Sequence, residues 1–270
     1  MLESGNPMKM KPTWMLLALV APLAAQGPPV KAAPGGVSAI ALSPAVIMLK
    51  GQPGQSTTQT LTLANQTEAE FAFDLVAEDV IVKDGKRTFV AAGETKGSIA
   101  ATAVFNPTSV IVKPHTSASA QVTVTVPAET DIRAVVAIFR GANKLPAAGA
   151  VAMTASLGSL LTFTLSDQFK VDGAPIEVAP QTNSKNVTFT QWLTNSGREP
   201  VVPEGVAAVT RENGSLVSKA TFTPQRLLPG ERLAYTAEFP SQLSPGKYRV
   251  VASFQFESKV ITGAAEFGVD

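Results

Sequence analysis

The stretches LTLANQTEAEF at residues 61–71 and QWLTNSGREPV at 191–201 decide the fold. Laid over one another, each is an alternating run that ends in asparagine, at Asn65 and at Asn195, then turns a polar corner and returns into an apolar run. In the alternating part, side chains two apart share a face, which is the period of a half-buried strand. Two copies 130 positions apart point to two related domains.

The run AQVTVTV at 120–126 alternates in the same way, and three runs are introduced by one kind of turn. Pro53-Gly54 precedes 56–65, Pro114-His115 precedes 117–126, and Pro229-Gly230 precedes 232–239. Proline fixes the first turn angle and glycine supplies the positive one, after which alternation starts. In LSPGKYRVVA at 243–252 a tight turn leads to Tyr248 and an alternating strand, the arrangement in which a buried tyrosine bonds the backbone of the corner before it. Interrupted patterning at 166–173 places the boundary there. The expected organisation is a first immunoglobulin-like domain at 37–165 and a second at 174–270, with seven short strands.

Composition agrees. Of 270 residues 45% are hydrophobic, only 16% are charged and 6% aromatic, with 20 Gly and 20 Pro, a balance that favours short strands and punctuated turns over solvated helices. The fold class read from this is all-β, two β-sandwiches in tandem. Net charge is +1 and the basic residues are scattered, so no footprint for nucleic acid is present. Cysteine is absent, which excludes disulfides, thiolate catalysis and cysteine-ligated metals.

The first residues read as an address. Lys9 and Lys11 precede the apolar run WMLLALVAPL at 14–23, too short to span a bilayer. A signal peptide at 1–32 is expected, cut after Ala32 or at a second site near Ala25, with translation starting at Met1, Met8 or Met10. The product is expected to be exported, periplasmic or at the cell surface. No later segment of the chain has transmembrane length.

On these residues the chain resembles exported bacterial proteins with tandem immunoglobulin-like domains, in particular the two-domain periplasmic chaperones of pilus assembly. The resemblance runs over about 37–270 and rests on Ala41-Leu42-Ser43-Pro44, the Asn65 and Asn195 corners, a long strand at 150–165 and the Pro229-Gly230 turn. It implies a protein-binding role without catalysis. In that family an arginine on the first strand and a lysine on the last strand of domain one anchor a partner's terminal carboxylate. This chain departs there, with Val46 at the first position and no lysine in 158–163.

No catalytic constellation emerges. His115, the sole histidine, falls in a turn. Ser244 and Lys247 have Ser-x-x-Lys spacing, but Pro245-Gly246 between them forces a turn where that chemistry needs a helix. Glu78, Asp79 and Asp84 are acids near a hairpin turn at Asp84-Gly85. Asn65, Asn186 and Asn213 begin glycosylation-type sequons but read as corner and turn residues. Trp192 reads as core. No cofactor, metal or catalytic residue is expected.

The segment 139–165 and the cleft between the two domains carry the binding reading. A loop with Arg140 and Lys144 leads into a small-residue-rich strand with Val151, Met153, Ala155 and Leu157, suited to pairing with a partner's strand. The expected partner is a protein of the cell envelope, met by a chaperone-like assembly factor or structural component. The alternative is a carbohydrate-binding or enzyme-accessory sandwich, which would need an exposed aromatic platform.

Overall fold

The computed structural model describes residues 39–142, 156–179, 186–239 and 243–269; the expected signal peptide lies outside them. The first ten strands are β1 (Ile40–Ser43), β2 (Val46–Lys50), β3 (Ser56–Asn65), β4 (Phe71–Lys83), β5 (Lys86–Ala91), β6 (Val104–Asn106), β7 (Ser109–Val112), β8 (Ser117–Thr125), β9 (Ala134–Gly141) and β10 (Ser156–Thr164). Seven more follow: β11 (Val171–Ala179), β12 (Thr188–Asn195), β13 (Glu204–Arg211), β14 (Leu216–Phe222), β15 (Arg232–Glu238), β16 (Gly246–Phe256) and β17 (Lys259–Val269). The protein is all-β, two immunoglobulin-like sandwiches in tandem.

In the first sandwich, sheet β1-β3-β8-β6 faces sheet β2-β10-β9-β4-β5, with β7 also paired to β4. Alternation explains the layering. Leu61 and Leu63 of β3 are fully buried against Phe73, Phe139, Leu161 and Phe163. The outward hydroxyls pair across strands instead, Ser56 with Thr125 at 2.7 Å and Thr58 with Thr123 at 2.8 Å. The first strand is divided between the layers: β1 pairs antiparallel with β3, the chain crosses at Pro44, and β2 pairs parallel with β10 over 160–164.

In the second sandwich, sheet β11-β12-β15 faces sheet β14-β13-β16-β17 around Phe189, Leu193, Tyr235, Val250 and Phe254. Tyr248 is buried and its hydroxyl donates to the Ser244 carbonyl at 2.7 Å, the tyrosine corner expected from its place after Pro245-Gly246. The three Pro-led turns have positive φ at their second central residue, +82° at Gly54, +55° at His115 and +79° at Gly230. His115 is exposed and pairs with Glu68 at 2.9 Å. Asp84 and Gly85, both at positive φ, make the β4 to β5 hairpin.

The repeated corner is one physical device used twice. The Asn65 amide donates to the carbonyls of Ala69, Val112 and Lys113 while its oxygen accepts from Thr67. The Asn195 amide donates to Glu199 and Leu227 while its oxygen accepts from Gly197. Each buried asparagine thus ties a strand end to the residue four positions on and to the segment leading into the Pro turn. Burial makes that polar side chain worth keeping, because an unpaired carbonyl there costs roughly 1–3 kcal/mol.

One core assignment is corrected. Trp192 lies on the outer face of β12, because Phe189, Gln191, Leu193 and Asn195 occupy the inner one. A glutamine takes the inward slot because Gly173 and Gly263 leave room for it: a Cβ at either would stand within 3 Å of its amide nitrogen. The Gln191 amide donates to the Ala174 carbonyl at 2.9 Å. No helix among the described residues is long and apolar enough to cross a membrane.

Candidate functional site: an open strand edge beside a cationic cleft

The two sandwiches meet through two carboxylates of the second one. Glu199, fully buried, accepts from Arg133 Nε at 3.2 Å, the Leu165 amide at 2.9 Å and Ser166 Oγ at 2.7 Å. Glu231, 2% exposed, accepts from Arg87 Nε at 2.7 Å, Arg87 Nη2 at 3.1 Å and the Leu228 amide at 2.8 Å. Between them Leu228 packs on Val80, Ala134 and Val136, on the outer face of the first sandwich. Buried carboxylates persist only when paired and hydrogen-bonded, and each of these has three donors.

That outer face continues past Leu228 into an open cleft of about 540 Å³. Val46 and Leu160, paired in register, form its apolar floor. Lys86 and Arg87 from the β4 to β5 hairpin and Arg226 and Arg232 from the second sandwich form its walls. Four cations thus face one acid, Glu231, already held by Arg87. Burial, and to a lesser degree the Arg87 guanidinium, pushes Arg226 below its ordinary range. Its Nε is buried without a hydrogen-bond partner among the described residues. Arg232 lies over the Trp192 ring at 5.0 Å, covering one face of the only outward aromatic that could have served as a sugar platform among the residues singled out in the sequence.

Beside the cleft, the start of β10 has no strand on its side away from β9 among the described residues. β9 pairs with β10 from Ser156 onward, but β2 covers only 160–164, because the chain leaves for the other sheet at Pro44. Leu160 donates to the Ala45 carbonyl at 2.9 Å and Phe163 to the Arg133 carbonyl at 2.8 Å, so even-numbered amides point away from β9. The amides of Ser156 and Gly158 therefore face the open side. A Cβ at Gly158 would stand 2.7 Å from Val136 Cγ2, so a larger residue there requires Val136 to shift. β2 itself ends the sheet and leaves Val46 49% and Met48 69% exposed.

Of the residues singled out in the sequence, Arg140 lies on β9 with its guanidinium on Glu78 at 2.8 Å, and Leu157 is half-buried opposite Phe139. Lys144, Val151, Met153 and Ala155 lie outside the described residues. Asp79 is buried beneath the Ala100 amide, apart from Asp84 in its turn. Among the described residues no group of three or more His, Asp or Glu could hold a metal ion. Sequence reading missed Arg87, Arg226 and Glu231. The available signal was the position after the Pro turn, threonine at 116 in the first copy and glutamate at 231 in the second.

No family model matches the chain, and no curated protein matches it in sequence. Solved structures similar to it include a chain of a chaperone–tip adhesin complex of CFA/I fimbriae biogenesis, 12% identical over 86% of this chain and 98% of that one, with a TM-score of 0.43. The class 5 fimbriae chaperone CfaA is 10% identical over 86% and 99%, with a TM-score of 0.41. A chain of the CsuC-CsuE chaperone–tip adhesion subunit complex of Acinetobacter baumannii Csu pili is 10% identical over 84% and 97%, with a TM-score of 0.42.

Proposed function

We propose that this chain is an exported, non-enzymatic protein-binding module of the cell envelope, chaperone-like in action, with a signal peptide at 1–32 and domains at 37–165 and 174–270. It holds an extended segment of a protein partner against the open edge of β10. The observation that carries the reading is that edge, where the outward amides of Ser156 and Gly158 have no strand opposite them among the described residues. An unpaired edge offers backbone bonds, and the exposed Val46 and Met48 offer apolar contact beside it. The Arg226 Nε, buried without a partner among the described residues, suits an occupant that brings a carboxylate into the cleft. In this reading Arg140, Lys144, Val151, Met153, Ala155 and Leu157 are the candidate partner-binding residues.

The experiment is photo-crosslinking in the native envelope from position 46, with position 216 on the far hairpin as control. A crosslinked protein at 46, absent at 216 and lost on Ser156→Pro, is the expected result. Ser156 is the chosen site because its amide points outward, whereas proline at Leu157 would remove an amide that faces β9. A crosslink unchanged by Ser156→Pro would rule out strand pairing.

The outward Trp192 favours a second reading, a carbohydrate-binding accessory sandwich. It requires quenching or a shift of Trp192 fluorescence on titration with envelope polysaccharide. An unchanged spectrum removes it.

A further inference from the structure

We propose that Asn213 is a self-modification site, whose side-chain amide closes on the following backbone nitrogen and is converted to aspartate and isoaspartate without an enzyme. Asn213-Gly214 is the only Asn-Gly pair in the sequence. It occupies the exposed turn between β13 and β14. Gly214 has φ +80° and open space where a Cβ would stand, so no side chain of its own crowds the approach to its nitrogen.

The turn also activates the electrophile. Asn213 Oδ1 accepts from the Ser215 amide at 3.0 Å and from Ser215 Oγ at 2.7 Å. Two donors on one carbonyl oxygen draw density from Cγ and would carry the negative charge of a tetrahedral adduct, as an oxyanion hole does.

The step balances with water alone. The Gly214 nitrogen gives its proton to hydroxide and bonds to Asn213 Cγ. The Cγ–Nδ2 bond breaks, Nδ2 takes a proton from water and leaves as ammonia, and a cyclic imide remains. Water then opens either imide carbonyl, giving aspartate or isoaspartate, with nothing oxidised or reduced. One restraint acts against this: the Gly214 amide donates to the Arg211 carbonyl at 2.9 Å, so reaction proceeds when that turn bond opens.

Other described asparagines lack the combination. Asn65 and Asn195 are 2% and 0% exposed with their amides engaged. Asn106 precedes Pro107, which has no amide proton, and Asn186 precedes the β-branched Val187. The new charge would arise beside Arg211 and Lys247, which line the same surface depression as Asn213.

The test is peptide mapping by mass spectrometry, with an isoaspartate assay, on the full chain held folded in mildly alkaline buffer. A urea-unfolded sample supplies the reference. Conversion at Asn213 ahead of the other asparagines, slowed several-fold by Ser215→Ala, is the expected result. An intact Asn213 in the folded protein, under conditions in which the unfolded chain converts, would overturn the proposal. A Ser215→Ala variant with an unchanged melting curve that reacts as fast as the parent would overturn the activation by Ser215.

Discussion

The two asparagine corners share one design up to their fifth residue and then part. From 61 to 68 and from 191 to 198 the pattern of buried, half-buried and exposed residues is the same. At the next position Ala69 faces solvent while Glu199 is fully buried on Arg133. The turns that follow diverge likewise, with Thr116 exposed in the first copy and Glu231 buried on Arg87 in the second. A common strand-and-corner module therefore closes one sandwich and, with two acids added, joins the other to its neighbour. The difference teaches where specificity lies: the asparagine serves the fold, and the acids serve the junction that shapes the cleft.

The largest effect should come from breaking that junction. Arg133→Ala leaves the Glu199 charge buried without its cation and is expected to cost about 3–5 kcal/mol in denaturant unfolding. Ala69→Glu at the matching exposed position of the first copy should stay within about 0.5 kcal/mol. Equal effects at the two sites would erase the distinction drawn between the corners.

The shared part of the design should respond alike in both copies. Asn65→Ala and Asn195→Ala each strand buried carbonyls and should each destabilise by about 1–3 kcal/mol per orphaned group, read as a lowered urea midpoint. A marked effect at only one of them would mean that the corners are not the same device.

Smaller still is the contrast between the Pro turns. Gly230 uses its positive φ freely, so Gly230→Ala should cost about 1–2 kcal/mol. His115 holds a similar angle with a side chain, so His115→Gly should be neutral or stabilising by less than about 1 kcal/mol. Thermal melts of the two variants in opposite order would contradict the shared turn geometry.

Much of the fold was legible because it is local. Strand alternation, three Pro-led turns, the Asp84-Gly85 hairpin and the Tyr248 corner each depend on residues a few positions apart. The corner repeat was visible for the same reason. Trp192 misled because hydrophobicity assigns tryptophan inward, while the actual inward residue is Gln191, accommodated by glycines at 173 and 263 that only the fold brings beside it. A cleft between the domains was expected, but the residues that line it were not legible. Arg87 and Glu231 lie 144 positions apart, and nothing in either neighbourhood announces the other. The resemblance directed attention to cations at Val46 and within 158–163, whereas the cleft receives them from a hairpin and from the second sandwich.

The most direct test of this account is calorimetric titration of the purified protein with an extended peptide of alternating valine and threonine that carries one glutamate, beside the same peptide with glutamine. The glutamate peptide is expected to bind about tenfold more tightly, as a charge-assisted bond worth roughly 1.5–3 kcal/mol allows. That preference should vanish in Arg226→Gln while the melting curve stays in place. Equal binding of the two peptides by the parent protein, or a preference that survives Arg226→Gln, would contradict it.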